Sequence, residues 1–150
     1  MSGEYLRPAH ERDIDFLFEL ANDPECRKNS FHSDPIPFSD HQRWFQNKLN
    51  SSGSIIYIYM SEDGQAMGQI RLDFKDNKAT INYSIRKEFR GQGHGKKIIV
   101  LVEEELKRYK QINEVIAQVK LSNRASSLIF EKCGFVGTQI EDHTDYIKHI

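Results

Sequence analysis

Apolar positions along this chain follow two rhythms, one helical and one alternating. "EYLRPA" reads as a short first strand stopped by Pro8. Behind Asp13, Ile14, Leu17, Phe18 and Ala21 recur at helical spacing until "NDPE" ends the run. Residues 26–38, "CRKNSFHSDPIPF", mix polar side chains, phenylalanine and two prolines, which predicts a loop or broken helix. Ser39 is placed to cap a second helix, "DHQRWFQNKL", whose His41, Trp44, Phe45, Lys48 and Leu49 share one side. Three runs rich in strand formers follow, "SIIYIYM", "AMGQIRLDF" and "ATINYSI", separated by the turn-forming "SEDGQ" and "KDNK", so an antiparallel meander is expected. In the third run Ile81, Tyr83 and Ile85 share one face and Thr80, Asn82 and Ser84 the other, which leaves one face to meet a ligand. After a glycine-rich stretch, Ile99, Val102, Leu106 and Tyr109 step along a helix, with Glu103 and Lys107, and Glu104 and Arg108, as i,i+4 pairs on its exposed side. "EVIAQVK" reads as a fifth strand, "NRASSLIFEKCGF" as a helix closed by Gly134, and "FVGTQI" and "HTDYIKHI" as two last strands.

Composition narrows the function classes. The 150 residues suit one domain, 1–150, and 38% hydrophobic with 29% charged residues fits neither a disordered nor a membrane-embedded chain. A net charge of −1 argues against a dedicated nucleic-acid binder, which needs an uncancelled basic surface. Cys26 and Cys133 lie far apart and form no CxxC pair, so no disulfide framework and no metal site are expected, and a reducing cytosol suits them. "MSGEYLRPAH" lacks the basic start and apolar run of a secretory signal, and no later run approaches the roughly 18 apolar residues of a membrane span. The expectation is a cytoplasmic protein without nucleic-acid or membrane partners, and the sequence leaves room for a homodimer.

The glycine-rich stretch, "RKEFRGQGHGKK" at 86–97, joins a strand to a helix and brackets Gly91, Gly93 and Gly95 with basic side chains. Such a junction presents N–H groups with no partner inside the helix at the positive end of its dipole, and anionic phosphate is the natural guest. Arg90, Lys96 and Lys97 add charge, and a plain glycine-capped turn is the simpler competing reading. A Walker loop needs four residues between its first glycine and Gly-Lys-Ser/Thr, whereas here three separate Gly91 from Gly95 and Lys97 follows Lys96. A dinucleotide fingerprint fails too, because Lys96 stands where its third glycine belongs.

The pattern Arg90-Gly91-Gln92-Gly93-His94-Gly95 resembles the pyrophosphate loop of the Gcn5-related N-acetyltransferase (GNAT) family. "NRASSLIFEKCGF" resembles that family's second cofactor motif, and the order of elements matches over essentially the whole chain. The resemblance implies an α+β fold of three-layer type, a central mixed, mostly antiparallel sheet of about seven strands flanked by about four helices. It also implies acetyl-CoA as co-substrate, bound by Ile85, Arg86, Arg90, Gly91, Gln92, Gly93, His94, Gly95, Lys96, Asn123, Ser126 and Phe130. Read from the residues alone, Asn123, Ser126, Ser127 and Phe130 share one helical face while Ala125, Leu128 and Ile129 suit a core. Asn123 serves equally as a helix N-cap, and Cys133 reads as a packing residue.

The implied reaction is direct attack of a primary amine on the thioester in a ternary complex. The family's oxyanion donors are backbone N–H groups before the glycine loop, here Ser84 and Ile85. Its usual general-acid tyrosine is replaced by Phe130, so Tyr83 becomes a candidate for that task, and Asp73, His32 and His41 are candidates for deprotonating the amine. The segment "NDPECRKNSFHSDPIPFSDHQRWFQNKL" resembles that of acetyltransferases acting on nucleotide-linked amino-deoxy sugars, as in pseudaminic acid biosynthesis. A diphosphate needs cations and a base needs an aromatic surface, which Arg27, Lys28, Phe31, His32 and Trp44 could supply. The alternatives are a protein N-terminal or lysine acetyltransferase of the ribosomal-protein type and a non-catalytic acyl-CoA-binding module. A polycationic acceptor is disfavoured by the lack of clustered carboxylates in this segment.

Overall fold

Alternating runs become strands where the sequence places them, and these strands pair into one sheet. The computed structural model describes residues 3–150. Among them are β1 (Tyr5–Pro8), β2 (Ser54–Met60), β3 (Ala66–Lys75), β4 (Lys78–Ile85), β5 (Glu114–Lys120), β6 (Val136–Ile140) and β7 (His143–His149). Met1 and Ser2, part of the expected 1–150 domain and of the N-terminus read for a signal, lie outside the described residues. The sheet order is β1-β2-β3-β4-β5-β7-β6, antiparallel throughout except for the parallel neighbours β4 and β5. Helices α1 (Ile14–Ala21), α2 (Pro24–Asn29), α3 (Phe38–Leu49), α4 (His94–Leu106) and α5 (Arg124–Lys132) complete the expected α+β arrangement.

The link between β3 and β4 is Asp76 and Asn77, and a two-residue hairpin loop dictates register. Lys75 stands opposite Lys78, which sets Asp73 against Thr80, Arg71 against Asn82 and Gln69 against Ser84. Directly opposed residues share a face, so the polar half of the β4 alternation continues onto β3. The opposite face carries Ile70, Leu72, Ile81 and Ile85 into a large core with Ile98, Ile99, Val102 and Leu106 of α4 and Phe130 of α5. On the polar side a smaller core, Leu17, Phe45, Ile56, Ile58 and Met60, seats α1 and α3 on β2. Because β2 is buried on both faces, "SIIYIYM" reads as a nearly unbroken apolar run.

Several expectations change in detail. Residues 26–38 take the broken-helix option, with the helix starting earlier than expected: α2 begins at Pro24, whose fixed φ suits a first helical position, and the Asp23 carboxylate accepts from the N–H groups of Glu25 and Cys26. The "NDPE" stop is therefore also a start. Helix α3 begins at Phe38 with Pro37 in the cap position, about half a turn earlier than a Ser39 cap implies. The i,i+4 pairs expected on α4 are absent among the described residues. Instead Lys107 meets Glu104, Arg108 meets Glu105, and Glu103 is taken by Lys148 from β7 at 3.0 Å. On α5 the expected faces exchange partners, with Leu128 56% exposed and Phe130 2% exposed.

His41 is buried among Phe18, Trp44 and Phe45, its ring stacked at 6.2 Å on Phe45, and its Nε2 is among the buried atoms without a hydrogen-bond partner. Burial pushes its pKa down, so the unfolded chain takes the proton more readily than the folded one. The stability this contributes is complete above about pH 6.5 and is lost as pH falls from there through the lowered folded value. Melting curves between about pH 7.5 and about pH 5.5 are expected to fall less for His41→Phe than for the wild type. Parallel profiles for the two proteins would refute this account of His41.

Candidate active site

The defining geometry is a parting of two strands. β4 and β5 pair at only three positions, Lys78 with Glu114, Ala79 with Val115 and Thr80 with Ile116, and then continue to Ile85 and Lys120 without pairing to each other. Arg86 N–H donates to Met67 O at 2.8 Å, its direct opposite in the β3 register. Antiparallel ladders alternate, so Ser84, Asn82 and Thr80 also turn their backbone groups to β3, while beyond the last β5 pair Tyr83 and Ile85 turn theirs into the gap. This corrects the backbone assignment of Ser84: of the two residues expected to donate there, Ile85 alone faces the gap, and Tyr83 joins it.

One mouth of the gap is the glycine loop. Gly91 and Gly93 hold φ of 74° and 85°, with open space where a Cβ would stand, so conformation and not crowding demands glycine there. Gly95 differs, since a Cβ there would lie 2.5 Å from Ile129 Cδ1 and oblige that side chain to move. Among the described residues no backbone acceptor takes the N–H groups of residues 91–96, which gather at the positive end of α4. Most side-chain charge in the loop is engaged elsewhere. Arg90 donates from Nε to Ile85 O at 2.9 Å and pairs with Asp23 at 2.7 Å and Glu25 at 3.0 Å, Lys97 pairs with Glu4 at 2.9 Å, and Arg86 pairs with Glu88 at 2.9 Å. The loop's expected Arg90 charge is thus a strut to α2. Lys96 is exposed, with no ion pair among the described residues. Gln92 donates to Glu88 O, and His94 turns inward, where Nδ1 meets the Tyr59 hydroxyl at 2.7 Å. Burial, with Lys97 nearby, holds His94 below its ordinary pKa, so it contributes an N–H and not a cation.

The other wall is the start of α5. Asn123 caps that helix by accepting from Ser126 N–H at 3.3 Å, and the Ser126 hydroxyl lies 2.8 Å from the Tyr83 hydroxyl. Phe130 does not face the gap as expected: it packs in the core, stacked on Tyr146 and edge-on to Tyr83 and Phe135. Burial raises the Tyr83 phenol and keeps it protonated.

Across the sheet lies a polar face. Gln69 Nε2 donates to Asn82 Oδ1 at 3.1 Å and to Ser84 Oγ at 2.9 Å, a neutral amide and hydroxyl floor. Cys26 of α2 reaches this floor, within hydrogen-bonding range of Ser84 and 3.7 Å from Arg90, and burial raises its thiol pKa. On one bank Arg71 lies 5.1 Å over the Trp44 ring, and on the other Phe31 meets His143, whose Nε2 is 3.0 Å from Asp145. Gln69, Cys26, His143 and Asp145 were not singled out from the sequence. Gln69 was accessible, because the Asp76-Asn77 hairpin places it opposite Ser84, whereas Cys26 meets the floor, and His143 with Asp145 meets Phe31, through contacts between distant segments.

Three expected residues take other roles. The Arg27 guanidinium donates to Ala21 O, His32 O, Asp34 O and Ser30 Oγ, which knits together the segment after α2 and leaves no bidentate face for a diphosphate. Asp73 sits opposite Thr80, roughly 16 Å of strand rise before Ile85. Although burial raises its pKa, hydrogen bonds from Lys48, Ser54 and Arg71 outweigh this and make it a weak base. His41 is enclosed by its aromatic neighbours. His32 is exposed on the loop beside Phe31.

A family model for the acetyltransferase (GNAT) domain matches residues 5–136. No curated protein matches by sequence. Among solved structures, the spermidine N-acetyltransferase of Vibrio cholerae in complex with CoA and spermine superposes with a TM-score of 0.89 at 16% identity, covering 98% of this chain and 95% of that one. A domain from Methanocaldococcus jannaschii gives 0.88 at 19% identity, covering 100% of each chain. An aminoglycoside acetyltransferase in complex with coenzyme A and kanamycin gives 0.83 at 17%, covering 97% and 94%. These likenesses establish the fold, and the family match establishes membership: the chain belongs to the GNAT acetyltransferases and is an acetyl-CoA-dependent N-acetyltransferase.

Gly93→Val forces a branched side chain into the left-handed region at a cost of about 1–2 kcal/mol. It is expected to weaken CoA binding at least about tenfold in calorimetry by turning the loop amides out of line. Unchanged affinity would detach those amides from the cofactor.

Proposed function

We propose that acetyl-CoA lays its diphosphate on the amides of residues 91–96 and its pantetheine arm in the gap between β4 and β5, while a hydroxylated small-molecule amine approaches from the polar face. The amine attacks the thioester directly, and the Tyr83 and Ile85 N–H groups are the donors available to the oxyanion. Lys96 adds charge beside the diphosphate, and Asn123 and Ser126 border the arm. The acetyltransferase domain extends over 1–150.

The leading acceptor is a nucleotide-linked amino-deoxy sugar, and the observation that carries it is the Gln69, Asn82 and Ser84 floor. Amides and hydroxyls match a sugar's hydroxyl pattern, and ammonium groups would find little free negative charge. The carboxylates at its margins already hold partners: Asp73 with Lys48 and Arg71, Asp23 and Glu25 with Arg90, and Asp145 with His143. Trp44 under Arg71 offers a flat surface for a nucleobase, and with Arg27 committed to backbone carbonyls and Arg71 to Asp73, Lys120, which donates to Lys28 O, is a cation left for a diphosphate on this face. The floor itself holds no carboxylate or imidazole, so the amine arrives uncharged or gives its proton to water.

Thiol release from acetyl-CoA distinguishes the acceptors. A UDP-4-amino-4,6-dideoxy sugar is expected to exceed spermidine, kanamycin and peptides with free N-termini by at least about tenfold in kcat/KM. Turnover with peptides alone would replace the sugar by a protein N-terminus, and turnover with the polycations alone would show that the paired carboxylates open to receive them. Either outcome overturns the acceptor.

A further inference from the structure

We infer that Tyr83, oriented by Ser126, is the hydrogen-bond donor to the CoA sulfur as it departs, an inference that rests on the donor placement proposed above. Three elements converge on the Tyr83 hydroxyl. Its own strand is the run of β4 that has no partner in β5, its oxygen lies 2.8 Å from Ser126 Oγ in the first turn of α5, and it is 3.6 Å from the position a Cβ would take on Gly95 in the first turn of α4. A pantetheine arm that leaves the loop amides and enters the gap passes this junction. The ring is fixed edge-on against Phe130 at 5.8 Å, so the hydroxyl has one narrow arc in which to move.

The Tyr83 and Ser126 hydroxyls can share their hydrogen in either direction. With Ser126 donating, the Tyr83 proton is free to point into the gap. Two neighbouring hydroxyl groups elsewhere on the donor side do not compete, because the Tyr59 hydroxyl is engaged with His94 and the Tyr146 hydroxyl lies 3.4 Å from Glu131.

In the step itself the tetrahedral centre collapses, the C–S bond breaks and its electron pair goes to sulfur. Tyr83 keeps its proton. A phenol that burial holds above the ordinary value of about 10 does not protonate a thiolate whose conjugate acid has a pKa near about 8.5, but it stabilises that thiolate by hydrogen bonding. The proton lost by the amine goes to solvent, and CoA leaves as the thiolate to be protonated there. Tyr83 is therefore a catalytic residue without being a general acid.

The first test needs no acceptor. The thiol of bound CoA is titrated by the ultraviolet absorbance of its thiolate, in wild type, Tyr83→Phe and Ser126→Ala. A donor aimed at sulfur favours the thiolate, so Tyr83→Phe is expected to raise the bound thiol pKa by about one unit, with Ser126→Ala shifting it less in the same direction. Identical titrations in wild type and Tyr83→Phe overturn the assignment, and should Tyr83→Phe fail to fold, an unshifted Ser126→Ala does so. With an active acceptor, kcat for Tyr83→Phe is expected to fall about 10–100-fold with the acetyl-CoA KM unchanged, and a kcat within twofold of wild type also overturns it. Desulfo-CoA, which lacks the sulfur, separates this failure from that of the donor placement. If Gly93→Val leaves desulfo-CoA affinity intact, the placement is wrong. If that affinity falls while the Tyr83→Phe titration is unshifted, the placement stands and only the sulfur contact is lost.

Discussion

β4 and β5 part after three residue pairs, and the rest of the site depends on that divergence. A parallel neighbour that stayed in register would consume the backbone groups of Tyr83 and Ile85, and the sheet would be sealed. Because it does not, an extended backbone inside a well-packed molecule retains unmatched N–H groups, which is costly unless something polar occupies the gap. Both flanks are fixed independently of the gap, by the β3 ladder on one side and by the full pairing of β5 with β7 on the other. Opening is therefore a property of the sheet and needs no rearrangement.

Charge is arranged differently from what a row of basic residues suggests. Arg86, Arg90 and Lys97 are held by Glu88, by Asp23 with Glu25, and by Glu4, so the loop's contribution to an anion is mainly dipolar. Backbone dipoles fixed by glycine conformation lose less to salt screening and side-chain entropy than lysine tails do. The same economy governs the polar face, where carboxylates and cations neutralise each other and the floor between them is neutral.

The sequence was most informative where short-range chemistry decides. Strand alternation, the Asp76-Asn77 hairpin, the glycine loop and the Asn123 cap all follow from residues close together in the chain, and the α+β sheet with its strand-to-helix glycine loop was legible from them. What escaped required knowledge of distant partners. Arg27 and Arg90 are both arginines beside a candidate site, and nothing local tells that one caps backbone carbonyls and the other ties a loop to a helix. Phe130 and Leu128 exchanged burial because amphipathic spacing defines faces but not which face meets the sheet. Ser84 and Ile85 differ in direction by one step of a ladder, a distinction set by register and not by composition.

Arg90 joins three parts that sequence separates: the last carbonyl of β4, the glycine loop that follows it and the first turn of α2, which stands over the polar face. A single guanidinium thus makes the two approaches to the gap share one mechanical unit. Whatever tightens α2 from one side acts on the orientation of Ile85 and the loop from the other, and linkage requires the effect to be equal in reverse. In the arrangement proposed above, an acceptor held against α2 would bear on the loop proposed to hold the diphosphate, and the reverse.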